Sequence, residues 1–319
     1  MKTLIAVLAL WRDSSDHMKK TLDQLSKQEK SLSNEYSFIY SFYENDSKDN
    51  TAEILGNWLE GKLGFLNSES RGDPNWGSIA FRRRTQYMAH YRNVALEALA
   101  DYDYRFLFVI DTDIIYEHNF LKKLIHKLES NPDFGIITPN TIQFIPDQFG
   151  YNCKYSYFDS WALIDKNGNQ GISFSKNPFI LNKDRISWDK DLSVYVNSAF
   201  GGAALVRGDL IRKNNLEWNG DAGCEHWRFC ESVIDLNYMV VVDPLIKAEA
   251  IHYKNINLDW FKLKYDFYRL QKNNLNAYKK LLFFKKLFIN FMISLFSSVI
   301  KVKIVIKGFS KIIANNLFH

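Results

Sequence analysis

Cysteine is nearly absent from this chain of 319 residues: Cys153, Cys224 and Cys230 are the only three, and no two are spaced C-x-x-C. An odd number without paired spacing points to neither a disulfide framework nor a thiolate zinc site, and it fits a reducing compartment. Proline (6) and glycine (15) are too few for low-complexity linkers, and no repeat recurs at solenoid or propeller periods. No export signal is expected either. Met1 to Leu10 has one Lys and a short apolar run, but Trp11-Arg12-Asp13 follows where a small-residue cleavage site would stand, so the segment reads as a first strand. What is there, 46% hydrophobic and 24% charged residues, is the profile of one large globular domain with an appendage.

Charge separates the two parts. Residues 254–319 hold 13 Lys and Arg against 2 Asp, whereas residues 1–253 hold 28 basic and 34 acidic residues. An acidic body argues against nucleic acid, which demands a basic face on the folded module, and a basic tail interleaved with apolar residues points to an anionic membrane surface. Lys279, Lys280, Lys285 and Lys286 bracket Leu281 to Phe284, and the uncharged run Leu287 to Ile300 precedes Lys301, Lys303, Lys307 and Lys311. As a helix that run rises roughly 21 Å, short of the ~30 Å hydrocarbon core, so the expectation is an interfacial amphipathic helix rather than a span. The predicted division is a folded domain over 1–255 and a basic amphipathic helical tail over 256–319. The tail would hold the chain in the cytoplasm, peripheral at the inner face of a membrane.

Through the first half, apolar β-rich runs alternate with helix-like stretches, which is the pattern of βαβ units. Strands are predicted at Leu4–Leu10, Tyr36–Phe42, Arg105–Ile110, Gly135–Thr138, Ala203–Arg207 and Met239–Val242. Helices are predicted at His17–Gln28, Thr51–Leu63, Thr85–Ala100 and Asn119–Leu128. The fold class is therefore α/β, a Rossmann-like mixed and mostly parallel sheet. In such sheets ligands sit beyond the carboxyl ends of strands, which singles out Trp11-Arg12-Asp13, Glu44-Asn45-Asp46-Ser47 and Asp111-Thr112-Asp113.

Asp111 and Asp113 follow the apolar run Phe106 to Ile110 directly. Two carboxylates one residue apart at a buried strand end repel unless a cation or proton lies between them. Mg²⁺ or Mn²⁺, which takes one or two carboxylates and fills its other positions with water and phosphate oxygens, suits that pair. The plainer alternative is a polar strand end with an Asp capping the next helix. Glu44, last on its strand, can accept hydrogen bonds from a nucleobase or ribose, or simply belong to a turn. Gly201-Gly202 ahead of a β run permits close backbone approach or positive φ, and is equally read as a tight turn. Arg82-Arg83-Arg84 could meet phosphate but reads first as a solvated face. Tyr151, Tyr155, Tyr157, Phe158, Trp161 and Trp188 form an aromatic-rich stretch suited to stacking on sugars, with Asp159 or Asp165 as hydroxyl acceptors, or else a loop packing its own rings.

These segments carry a resemblance. Glu44-Asn45-Asp46-Ser47-Lys48-Asp49-Asn50-Thr51, Tyr91-Arg92-Asn93-Val94-Ala95-Leu96, Asp111-Thr112-Asp113 and Tyr157-Phe158-Asp159-Ser160-Trp161-Ala162 stand in the order and spacing of glycosyltransferases of the A-type fold. Within that fold the chain is similar to the capsule-associated and related mannosyltransferases of fungi and their bacterial relatives, over about residues 2–255. The resemblance implies Arg12 and Glu44 around the nucleoside, Arg92 and Asn93 near base and diphosphate, and Asp111 and Asp113 around metal and ribose. It further implies Gly201 and Gly202 in a loop against the donor sugar. Glu225 would face the acceptor beside His226, where inverting members usually place Asp, and His252 would be a late metal ligand that tilts the preference toward Mn²⁺ over Mg²⁺.

The implied activity is metal-dependent transfer of a hexosyl unit, with mannose and GDP favoured, from a nucleotide sugar to a hydroxyl of a glycan or lipid-linked acceptor, as in polysaccharide biosynthesis. Two other readings compete. A sugar-phosphate nucleotidyltransferase would carry a glycine-rich basic loop after the first strand, where this chain has Leu10-Trp11-Arg12-Asp13-Ser14. A noncatalytic glycan-binding protein would need no paired carboxylates.

Overall fold

Burial of β1 (Thr3–Trp11) on both of its faces sets the architecture. Ile5, Val7, Ala9 and Trp11 pack on one face of the sheet with Met18, Leu22 and Leu25 of α1 (Met18–Leu32), while Ala6 and Leu8 pack on the other. Each such buried aliphatic side chain contributes about 1.5–3 kcal/mol of hydrophobic stabilisation. The computed structural model describes residues 2–75, 82–144, 155–173 and 175–251. His252 and the tail over 256–319 therefore lie outside the described residues, as do Cys153 and Tyr151.

After α1 come β2 (Tyr36–Asn45), α2 (Thr51–Leu59), β3 (Gly64–Glu69), α3 (Arg82–Glu97) and β4 (Phe106–Asp111). They are followed by β5 (Ile114–Tyr116), α4 (Phe120–Glu129), β6 (Phe134–Phe144), β7 (Tyr155–Tyr157), α5 (Asn182–Asp189) and β8 (Val194–Val196). The remaining elements are β9 (Ala203–Arg207), α6 (Gly208–Asn214), α7 (Glu225–Asp235) and β10 (Met239–Ala250). The sheet order is β3-β2-β1-β4-β9-β6-β10-β5, with β7 on β6 and β8 on β10. Its long pairings, β1 with β2 and β4, β2 with β3, and β6 with β10, are parallel; β9 runs antiparallel between β4 and β6. This is the mixed, mostly parallel α/β sheet predicted.

Helices cover both faces. Phe120, Leu121, Leu124, Ile125 and Leu128 of α4 make one apolar stripe and join α1 on the first face. On the second, α3 contributes Ala89, Tyr91 and Ala95, and α7 contributes Phe229, Cys230 and Val233. That second face matters for the site, because α3 and α7 carry polar residues toward the carboxyl end of β4.

The elements differ from expectation in definite places. β3 went unpredicted because it is an edge strand, only partly buried and rich in polar residues. β5 follows the Asp111-Thr112-Asp113 triplet at once and is three residues long, too short for periodicity to register. β10 continues past Val242 across Pro244 to Ala250, with its register against β6 shifting between Asp243 and Lys247. α2 ends at Leu59 instead of Leu63, ahead of Gly61, whose φ is 73°.

Candidate active site

Asp111 is the last residue of β4, and its backbone N–H donates to the Gly202 carbonyl at 2.8 Å. The carboxyl end of β4 is thereby tied to the loop that leads into β9. Gly201 and Gly202 have φ of 65° and 72°, a region that side-chain-bearing residues rarely adopt. A Cβ on Gly202 would stand 2.5 Å from Ile114 Cδ1, and one on Gly201 would face the Pro139 carbonyl and Thr141 Oγ1 at 3.4 Å. Gly202 is therefore required by both conformation and space, and Gly201 by its conformation.

Above this edge α3 delivers Arg92, only 1% exposed. Its Nη2 donates to Asp111 Oδ1 at 3.1 Å, its Nε lies 3.7 Å from Glu225 Oε1, and its guanidinium sits over the Phe200 ring at 4.9 Å. Glu225 opens α7, where the helix dipole favours a negative charge, and is buried. Burial pushes its carboxyl up, but the positive charges of Arg92 and Arg84 oppose that and hold it below its ordinary value. His226 behaves oppositely: burial drives it down to about 3, so the ring is neutral and the positive charge beside Glu225 comes from arginine.

A third carboxylate completes the cluster. Asp159, with φ of 58°, accepts the Ala162 N–H on Oδ1 and the Gly201 N–H on Oδ2, both at 3.2 Å. Burial pushes it up to about 7; the two backbone N–H groups oppose the rise, and Asp111 and Glu225 add to it. Asp111, whose side chain is one-third exposed but crowded by protein on its other sides, is pushed up to about 6, by loss of solvation first, with Arg92 opposing and Asp113 and Glu225 reinforcing. Carboxylates that raise one another in this way are short of positive charge, which is what a cation site requires. The donors are hard oxygens, suited to Mg²⁺ or Mn²⁺, so Asp111 and Asp113 fit such an ion. Among the described residues no group of three or more His, Cys, Asp and Glu side chains converges on one metal position. His252, expected to be a further ligand, lies outside them.

The sequence profile of the family described as Cryptococcal mannosyltransferase 1 matches residues 2–235. The chain belongs to that family. None of the curated proteins matches it. Among solved structures it is similar to the mannosyltransferase PcManGT from Pyrobaculum calidifontis in complex with GDP-Man and Mn²⁺. The TM-score is 0.51 and the identity 14%, over 82% of this chain and 60% of that one. It is also similar to S. aureus TarS 1-349 in complex with UDP-GlcNAc, with a TM-score of 0.49 and 15% identity, over 81% of this chain and 61% of that one. The chain thus spans about 60% of the length of these solved relatives. At 14% identity the likeness to PcManGT is one of fold, and it agrees with the mixed, mostly parallel α/β architecture expected.

Other residues of this mannosyltransferase-family chain are engaged differently from expectation. Glu44 is buried, with Oε1 accepting the Ser47 N–H at 2.9 Å and Oε2 the Ser68 hydroxyl at 2.5 Å. It holds the turn after β2 and has both oxygens engaged within the protein. Asn93 turns away from Asp111: its Nδ2 donates to the Trp218 carbonyl at 2.9 Å and its Oδ1 accepts the Trp218 N–H at 2.8 Å. That clamp uses the amide group that was expected near base and diphosphate. Arg12 reaches the segment after β3, donating to the Asp73 and Pro74 carbonyls at 2.7 and 3.2 Å. The same segment is organised by Asp46, a member of the strand-end cluster to which the sequence assigns no role of its own, and which accepts the N–H groups of Arg71, Gly72 and Asp73.

The aromatic stretch divides. Tyr157 and Trp188 are core residues in edge contact at 5.9 Å, whereas Phe158 and Trp161 are only partly buried. Asp165 closes its own turn, accepting the N–H groups of Asn167 and Asn169, so of the two acidic candidates only Asp159 joins the site. The arginine run divides as well. Arg82 is exposed and pairs with Asp221, but Arg84 is half-buried over Trp161 at 5.8 Å and lowers Glu225.

Proposed function

We propose that this chain is a glycosyltransferase that moves a hexosyl unit, mannose in our reading, from a nucleotide sugar to a hydroxyl of a glycan or lipid-linked acceptor. The observation that carries the proposal is the convergence of Asp111, Arg92, Glu225, Asp159 and the Gly201-Gly202 loop at the carboxyl end of β4. The family match and the fold support it. A divalent ion held by Asp111 and Asp113 would stabilise negative charge on the departing diphosphate.

The chain's own residues have distinct roles in this reading. Arg92 keeps Asp111 and Glu225 ionised and apart, and its positive charge lies beside the leaving group. The glycine loop lets backbone approach the donor sugar, with Asp159 fixing its conformation through the Gly201 N–H. Glu225, held below its ordinary pKa, takes the proton of the acceptor hydroxyl or orients it. Glu225→Gln is then expected to bind nucleotide sugar normally by calorimetry but to transfer about 10²–10⁴-fold more slowly. Equal damage to donor affinity would move Glu225 out of the acceptor role. Incubating the protein with a panel of nucleotide sugars and Mn²⁺, and measuring released nucleotide, tests the activity itself; absence of release from every donor would end the proposal.

The reading extends to location. The basic tail, with its lysines bracketing apolar runs, would hold the enzyme on the cytoplasmic face of an anionic membrane. Flotation with vesicles rich in anionic lipid should carry the full chain and not one ending near Asn276. Binding that survives truncation would rule the tail out as anchor.

A further inference from the structure

Trp218 is held more firmly than its place in a loop requires. Its backbone is clamped on both sides by Asn93, its ring stacks on Phe229 at 4.4 Å with 4° between planes, and two residues on, the Gly220 carbonyl accepts the Thr85 hydroxyl at 2.6 Å. A Cβ on Gly220 would stand 2.2 Å from the Thr85 carbonyl, so the loop lies directly on α3. From this fixed position the indole Nε1–H donates to His226 Nδ1 at 3.3 Å, inside the protein.

An indole N–H can only donate, so Nδ1 of His226 must present its lone pair. The ring is neutral, and its one proton then resides on Nε2. That N–H lies 3.5 Å from Glu225 Oε1, the same oxygen that Arg92 Nε approaches at 3.7 Å. Neither contact is a formed hydrogen bond: His226 Nε2 and Arg92 Nε are buried without a hydrogen-bond partner, and Glu225 Oε1 is the carboxylate oxygen that lies beside both. The His226 ring cannot swing away, because it stacks on Phe200 at 3.9 Å with 15° between planes. The other carboxylate oxygen, Oε2, meets the Cys224 thiol at 3.8 Å, a weak donor that leaves lone pairs for another partner.

We infer that Trp218 and His226 form a positioning relay: the indole fixes His226 as the Nε2–H tautomer, whose N–H restrains Oε1 of Glu225 and leaves Oε2 as the oxygen that receives the acceptor hydroxyl. The inference rests on the reading of Glu225 as the acceptor-side carboxylate. It makes His226 a positioning residue and excludes it as the base, since one nitrogen carries the proton and the lone pair of the other is engaged by the indole. Arg92 and Asn93, adjacent on α3, then serve the same carboxylate by two routes, one directly and one through Trp218.

The test uses the full chain. Long-range nitrogen–proton NMR of the donor-free protein should show His226 as the Nε2–H tautomer, and Trp218→Phe, which keeps the stack on Phe229 but lacks the N–H, should release the ring to the other tautomer. His226→Phe, which keeps the stack on Phe200, is expected to lower kcat about 10- to 100-fold with donor KM unchanged. His226→Gln, which restores a side-chain N–H toward Glu225, should recover most of that loss. An Nδ1–H tautomer in the unaltered protein, or a His226→Phe variant as active as His226→Gln, overturns the relay. Should no nucleotide sugar support turnover, the functional reading fails, while the tautomer spectra still decide whether the relay exists.

Discussion

Asp113→Ala is expected to reduce sugar transfer by about 10²-fold or more with little change in thermal stability. The asymmetry follows from the local structure. Asp113 contributes to the sheet edge through its backbone, the Ile251 N–H donating to its carbonyl at 2.9 Å, and that bond survives loss of the carboxylate. What the substitution removes is one of two oxygen ligands proposed for the divalent ion and, with it, several kcal/mol of charge stabilisation at the diphosphate. Chelation of the unaltered protein with EDTA should give the same loss, and Mn²⁺ should restore it. A variant with near-normal activity in EDTA would show that these carboxylates have another purpose.

Arg92→Met should be damaging in a different way, to the fold as well as to activity. Arg92 is buried between Asp111 and Glu225, and removing one partner of a buried charge cluster typically costs about 3–5 kcal/mol because the others are left uncompensated. Most of that cost falls on Glu225, whose side chain is 7% exposed; Asp111, at 33%, is partly rescued by solvent. Arg92→Lys should not repair the defect, because an ammonium cannot address both carboxylates from one planar fork while lying over Phe200. Urea unfolding of the three proteins measures this directly, and an Arg92→Met midpoint equal to that of the unaltered chain would mean that the cluster is electrostatically inert.

The parts of the fold legible from sequence are strands buried on both faces, which read as continuous apolar runs, and helices with one periodic apolar stripe. β1, β2 and β4 are dense apolar runs, and α1 and α4 repeat Leu, Ile and Phe at helical spacing. β3 and β5 are short or half-exposed, and α5 and α6 are helices of eight and seven residues within long irregular stretches, so pattern alone does not reveal them; α7 has an apolar stripe of Phe229, Cys230 and Val233 but opens on the buried polar pair Glu225 and His226. For the candidate site, residue type and strand-end position singled out Asp111, the resemblance supplied Arg92, Gly201, Gly202 and Glu225, and the structure brings these residues together at the end of β4. The same reasoning could not tell where a side chain spends its hydrogen bonds. Glu44 and Asn93 are right in type for a ligand, yet the fold engages both internally, whereas Asp159 gains its place from a left-handed backbone conformation that composition does not reveal. Trp218 passed unnoticed because its relevance arises through Asn93, 125 positions earlier in the chain.

The reversed direction of β9 has a consequence for the order in which the protein can become active during its own synthesis. β4 ends at Asp111 and β9 begins just after Gly202, and only because the two run antiparallel do that end and that beginning meet. The bond between Asp111 and Gly202 closes a long loop of chain, and the entropy of that closure has to be met before any contact within the site is gained. A nascent chain that has reached β6 can already pair β1, β2, β3 and β4, but it contains neither the glycine loop nor Glu225. The early βα units can therefore consolidate first, as a platform without catalytic competence. Substitutions around Gly201, Gly202 and Trp218 should slow the late docking of β9 and α7 without altering how the amino-terminal strands assemble.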